Sequence, residues 1–284
     1  MGWNEWPLMM FTAMAQGAVG AFWWCSLALL VAPLAPDVRL RLEKSMLPIW
    51  IMMGLAFAIS SAHLGSPMRG VNASFRFLQA PLSNEIVFGG MFAAVGFLHW
   101  LMSWRRVGGA ALRTVVLALA LACSFAFLWN MAQFYRIPTV PTWDTPLTPA
   151  AFLVTTLLLG GAVATALFSW SNATLPPLLR AGPLVVAAVA MCGALAVVLL
   201  QSSLLADINS SVNHAAALSP HYGLLMAARF VLLGLALALW VSQVVSSRAK
   251  SGLGMAMTVV CLIATGEIIG RGVFYALHMT VGMV

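Results

Sequence analysis

The chain has 284 residues, 62% of them hydrophobic and only 7% charged, with a mean hydropathy of +0.97 and a formal net charge of +7. Charge-free runs longer than about 20 residues, enough for a helix to cross hydrocarbon, recur along it, which excludes a water-soluble domain and points to one polytopic all-α membrane unit. No ten-residue segments alternate as in a membrane β-barrel, and the positive charge sits in short loops, where it reports orientation before any acidic partner or nucleic acid.

The chain opens with Met1-Gly2-Trp3-Asn4-Glu5-Trp6-Pro7 and then runs uncharged to Ala35. With no basic n-region and no small-residue cleavage site, this run reads as a retained first span over residues 8–32, anchored at headgroup level by Trp3 and Trp6. Asp37 to Lys44 reads as a charged turn, followed by spans over residues 45–63, 85–104 and 113–135. Pro138, Pro141, Pro146 and Pro149 then forbid regular helix and mark an exposed, stiff connection. Spans over residues 150–170 and 178–204 are separated by Pro176-Pro177. The polar segment Ala206 to His221 reads as a long loop carrying a short surface helix, and the last two spans cover residues 222–245 and 253–278. Cys25, Cys123, Cys192 and Cys261 all fall inside apolar runs without Cys-x-x-Cys pairing, so they read as small buried hydrophobes rather than a disulfide framework or thiolate metal site.

Eight spans place both termini on one side. The odd loops carry Arg39, Arg41, Lys44, Arg105, Arg106, Arg113, Arg180, Arg248 and Lys250, against only Arg69, Arg76 and Arg136 in the even ones. Positive-inside bias puts the odd loops in the cytoplasm and both termini in the periplasm.

This placement collects chemistry at the outer face. The connection from Ser60 to Glu85 holds a histidine, two arginines and a carboxylate, each costly near a bilayer. His63 and Glu85 stand at the outer ends of neighbouring spans, so one loop sets both at the same depth, where they can accept the two protons of a hydroquinone. Gly65, Ser66 and Pro67 break the helix and free backbone polar groups, which are tolerated at membrane depth only against protein or a polar cavity. Residue types alone leave open that His63 is a helix-end residue bonded to a carbonyl and that Glu85 only faces a helix dipole. Glu267 and Arg271, four apart, read as an ion pair inside the bundle, with a proton path as the alternative. Arg229 reads as snorkelling or paired, and His99 as interfacial. Haem would need paired histidines buried on two helices, and none of the five histidines is so placed; His63 with His278 is the nearest approach to such a pair.

The residues that carry a family resemblance are Glu5-Trp6-Pro7-Leu8, His63-Leu64-Gly65-Ser66-Pro67-Met68-Arg69, Leu82-Ser83-Asn84-Glu85-Ile86 and Val140-Pro141-Thr142-Trp143. To these are added Ser210-Ser211-Val212, Ala215-Ala216-Ala217-Leu218 and the long run from Glu267 to Met283. Over nearly its whole length the chain resembles the membrane anchor subunits of bacterial dimethyl sulfoxide reductase and their close paralogues. It departs from them at Asn213-His214, where relatives commonly carry two glutamines, and at Ser219-Pro220-His221, where they commonly carry Val-Pro-Asp.

The resemblance implies a multi-pass protein of the bacterial inner membrane that binds menaquinol as substrate, oxidises it in anaerobic respiration, and holds no haem and no metal of its own. It implies two partners: an iron-sulfur subunit with four cubane (4Fe–4S) clusters, docked against the loop around residues 206–221, and a catalytic subunit with a molybdopterin cofactor that reduces an S-oxide or N-oxide. The family's essential histidine and glutamate fall on His63 and Glu85. The expected site therefore has His63 and Glu85 as proton acceptors, with Gly65, Ser66, Arg69, Asn84 and Arg271 around the quinol head group. A chain that only anchors its partners, without quinol chemistry, is the alternative; a transporter would want a polar, helix-broken site at mid-membrane, and mid-span breaks are scarce.

Overall fold

The structure is a computed structural model that describes residues 2–62, 72–208, 214–245 and 252–280. Its regular elements are helices: α1 (Trp6–Val31), α2 (Pro36–Ser45), α3 (Leu47–Ala62), α4 (Pro81–Arg105), α5 (Ala110–Phe134), α6 (Leu147–Trp170), α7 (Pro177–Asp207), α8 (Tyr222–Val245) and α9 (Gly252–Ala276). With α2 and α3 taken as one span, eight helices are long and apolar enough to cross a membrane, as the hydropathy pattern predicts.

Local chemistry sets where these helices begin and turn. Proline occupies the first turn of α1, α2, α4 and α7, where its missing N–H costs nothing and its fixed φ suits the helix. At the far end of α4, Arg106 adopts a left-handed conformation (φ 56°) and Gly108 another (φ 78°), so the chain reverses tightly into α5.

The centre of the bundle is the pair α1 and α6. In α6, 83% of the most apolar stretch is buried, the highest share of any span. The two helices meet backbone to backbone: a Cβ on Gly20 would run into the carbonyl oxygen of Thr156, and one on Gly160 into the Cα of Gly20. In a bilayer, where lipid tails are as apolar as leucine, such close approach gains dispersion that larger side chains would prevent. Around this pair, α3 packs on α1, α7 and α9 on α6, α8 on α9, and α5 on α4. The first and last elements meet at one end, where Trp3 covers Gly272.

Two loops differ from the sequence expectation. The charged stretch from Asp37 to Lys44 is not a turn but lies within the ten-residue amphipathic helix α2, with Val38, Leu42 and Ser45 turned inward and Asp37 and Lys44 at the ends that suit the helix dipole. The proline-rich connection after α5 is only partly exposed. Its Trp143 stacks on Phe274 (ring centroids 5.0 Å apart, planes 8° apart) and donates its indole N–H to the Phe274 carbonyl at 2.8 Å, while the Thr142 hydroxyl donates to the Leu277 carbonyl at 2.6 Å. This loop thus closes over the end of α9. The expected short helix in the polar loop is a 3-10 turn over Ala215–Leu218.

Candidate functional site

Glu85 projects from the start of α4, at the same end of the bundle as the end of α5, the start of α6 and the end of α9. It is 3% exposed, and its Oε1 has no hydrogen-bond partner among the described residues. A buried acceptor left unmade costs about 1–3 kcal/mol, more for a charged group, so this carboxyl is poised for a partner. The residues just before it fasten the preceding loop. Asn84 Oδ1 accepts the N–H of Leu78 at 2.6 Å, bracing that residue's left-handed backbone (φ 64°), and the Ser83 hydroxyl donates to the Ala73 carbonyl.

Two tyrosines lie in the neighbourhood of this carboxyl. The hydroxyls of Tyr135, at the end of α5, and Tyr275, in the last turns of α9, lie 2.5 Å apart, and both are within electrostatic range of Glu85 and of Arg271. Thr12 of α1 lies close to Tyr275, its own hydroxyl donating to the Leu8 carbonyl at 2.9 Å. Edge-on contacts with Trp143 and Phe274 fix both rings, with Phe152 against Tyr135, so the hydroxyl pair is rigidly held.

Behind the tyrosines lies a buried charge network. Arg271, 2% exposed, donates Nη2–H to Gln16 Oε1 at 2.6 Å and to Thr155 Oγ1 at 3.2 Å, and its guanidinium lies over the Phe152 ring at 3.9 Å. Glu267 is not bonded to Arg271, one turn away, as the spacing suggests. It accepts instead from Arg229 of α8 at 2.8 Å and from the Thr155 hydroxyl at 2.5 Å. Side chains one turn apart on a helix can be claimed by other helices, and here α8 and α6 hold Glu267 while α1 and α6 hold Arg271. Two buried guanidiniums stand against one carboxylate in this network, Arg229 paired with it and Arg271 held by neutral oxygens, so a surplus positive charge stands in the same end of the bundle as Glu85. A cavity of about 40 Å³ bordered by Gln201, Arg229, Glu267 and Arg271 leaves room for water beside it.

Of the residues expected at the site, Glu85 and Asn84 share the start of α4, and Arg271 lies within electrostatic range of the same two tyrosines as Glu85. His63, Gly65, Ser66 and Arg69 fall outside the described residues. Arg229 is paired, as one of its two readings holds. His99 is buried inside the protein, 1% exposed, with Nδ1 unpartnered among the described residues, near Glu43 and Arg113 at the opposite end of the bundle. His278 is exposed, with its ring 4.7 Å from Trp143.

Sequence reasoning missed Tyr135, Tyr275, Thr12, Gln16 and Thr155. A signal existed for the first two: the chain has only three tyrosines, and two of them sit at the same end of apolar spans. For Gln16 and Thr155 the only hint is a polar side chain deep in an otherwise apolar run.

Comparison with known proteins bears directly on this arrangement. The family model described as "DMSO reductase anchor subunit (DmsC)" matches residues 1–277. Among curated proteins, the C subunit of anaerobic dimethyl sulfoxide reductase from Escherichia coli (strain K12) is 40% identical over 289 residues, covering 99% of this protein and 98% of the relative. The YnfH subunit of anaerobic dimethyl sulfoxide reductase from the same organism is 39% identical, and the C subunit from Haemophilus influenzae is 32% identical, each with 99% of this protein and 98% of the relative covered.

Proposed function

Since the chain belongs to the family of DMSO reductase anchor subunits, we propose that it holds the electron-transfer and catalytic subunits of a dimethyl sulfoxide reductase-type molybdoenzyme at the bacterial inner membrane and oxidises menaquinol for them. The observation that carries the quinol reading is the buried, unpartnered Oε1 of Glu85 beside a rigid hydroxyl pair and a surplus buried positive charge. A scaffold has no use for an unsatisfied carboxylate; a site that accepts a proton from an incoming phenol does.

In this reading the quinol head group offers one hydroxyl to Glu85, which accepts its proton. His63 accepts the second, a role that rests on the family resemblance of its motif, as do those of Gly65, Ser66 and Arg69 around it. Asn84 keeps the start of α4 in register through its bond to Leu78. Arg271 and Arg229, against the single Glu267, favour the negative charge left on the head group as each proton departs, acting through the low dielectric of the bundle rather than by contact. The electrons pass to an iron-sulfur subunit with four cubane clusters and on to a molybdopterin subunit. With both termini and the site at the periplasmic face, protons leave on the side where the acceptor is reduced, and no net charge crosses the bilayer.

The test uses membranes carrying the assembled complex. Glu85→Gln should lower menaquinol-driven reduction of the terminal acceptor about a hundredfold or more, while reduction driven by a viologen dye, which feeds the partner subunits directly, and the amount of membrane-bound complex stay unchanged. Quinol-driven turnover at the wild-type rate in this variant would leave the chain as an anchor alone.

A further inference from the structure

At the end of the bundle opposite Glu85, three arginines from two different turns of the chain surround one open cavity of about 440 Å³: Arg39 of α2, and Arg106 and Arg113 on either side of the reversal between α4 and α5. Its floor is Glu43, whose side chain is 2% exposed and which holds Arg39 Nε at 3.3 Å and Arg113 Nη1 at 3.7 Å. Arg39 is braced further by an Nη1 bond to the Leu29 carbonyl at 3.0 Å. The other acid on the rim, Asp37, is turned into an exposed pair with Arg41 at 2.7 Å. Arg106 has no side-chain hydrogen bond or ion pair among the described residues. Four guanidiniums therefore meet two carboxylates here, which leaves a net charge of +2, and Arg106 is the one of the four without a partner among the described residues.

The surroundings say what kind of anion fits. Between Arg106 and Arg113 the chain exposes Val107 and Leu112, each 53% accessible, and Trp104 stands just before them with the Arg105 guanidinium 4.9 Å from its ring. Cations beside exposed aliphatic side chains and an interfacial tryptophan match a molecule with an anionic head and apolar tails. A small soluble anion would gain nothing from the aliphatic flank.

We propose that this cavity is a binding site for the phosphodiester head group of an anionic phospholipid, with Arg106 and the free guanidinium edges of Arg39 and Arg113 on the phosphate oxygens and the acyl chains along Val107 and Leu112. Glu43 positions the two inner arginines, and Arg106 supplies the charge that no protein group answers. The site is independent of quinol chemistry and lies at the other end of the molecule.

Native mass spectrometry of the full-length chain, delipidated in neutral detergent and titrated with phosphatidylglycerol or phosphatidylcholine of matched acyl chains, tests it. The wild type should prefer phosphatidylglycerol, and Arg106→Gln should cut that preference about fivefold without changing the melting temperature, whereas Arg136→Gln at the opposite end should leave it intact. A wild type that binds both lipids equally, or a preference untouched by Arg106→Gln and by Arg39→Gln, overturns the proposal. Displacement of phosphatidylglycerol by millimolar inorganic phosphate would overturn it too, by making this a site for soluble anions.

Discussion

Replacing Glu267 with glutamine keeps the shape of the side chain and its hydrogen bond from Thr155, and removes only the charge that Arg229 faces. In the native fold the pair is 2.8 Å apart, with the two side chains 10% and 1% exposed, so solvent screens little of the attraction. For charge centres about 4 Å apart in an effective dielectric of about 20, that attraction is ~4 kcal/mol. After the change, Arg229 and Arg271 remain buried without a carboxylate in the network, and orphaning one partner of such a pair costs about 3–5 kcal/mol. Unfolding of the purified chain in mixed micelles, followed by tryptophan fluorescence, should register a loss of that size. Asp37→Asn, which breaks a shorter but exposed pair with Arg41, should leave stability nearly unchanged. Replacing Arg229 and Glu267 together with methionine should recover much of the loss, because the desolvation cost goes with the charges. If Glu267→Gln stays within about 0.5 kcal/mol of wild type, the network does not hold the helices as argued.

Two further outcomes follow from geometry already described. Gly160→Leu should prevent α1 and α6 from seating, since even a Cβ there has no space; the readout is recovery of folded, monodisperse chain in detergent, and normal yield would contradict the close approach. Tyr275→Phe leaves the buried Tyr135 hydroxyl without its 2.5 Å partner and should cost about 1–3 kcal/mol in the same micelle assay, with the double phenylalanine variant costing less than the sum of the singles because the pair is one interaction.

The spans were legible because lipid imposes a length and an apolarity that few residues can evade, and each of the eight windows reappears as a helix. What escaped was decided by neighbours rather than by the local run. The stretch from Asp37 to Lys44 looks like a turn by charge, yet Val38 and Leu42 recur at helical spacing and have α4 and α6 to pack against. Proline spacing correctly forbade helix from residue 138 to 146, although Pro149 falls in the first turn of α6, and rigid, helix-free chain is also what can lay Trp143 flat on Phe274. At the site, topology was enough to bring Glu85 to one end. The partners of Glu267 and Arg271 were not readable, because the competing donors and acceptors come from α1, α6 and α8, more than a hundred residues away along the chain in the case of Gln16 and Thr155.

The seam where Gly20 and Gly160 touch has no side chains to rearrange. Elsewhere in the bundle a lost methyl can be answered by a gained one across the interface, so lipid-facing and interior positions can drift in compensating pairs. Main chain resting on main chain offers no such currency of exchange. Mutational tolerance along α1 and α6 should therefore fall off sharply at these two positions, and any remodelling of the bundle has to pivot around them.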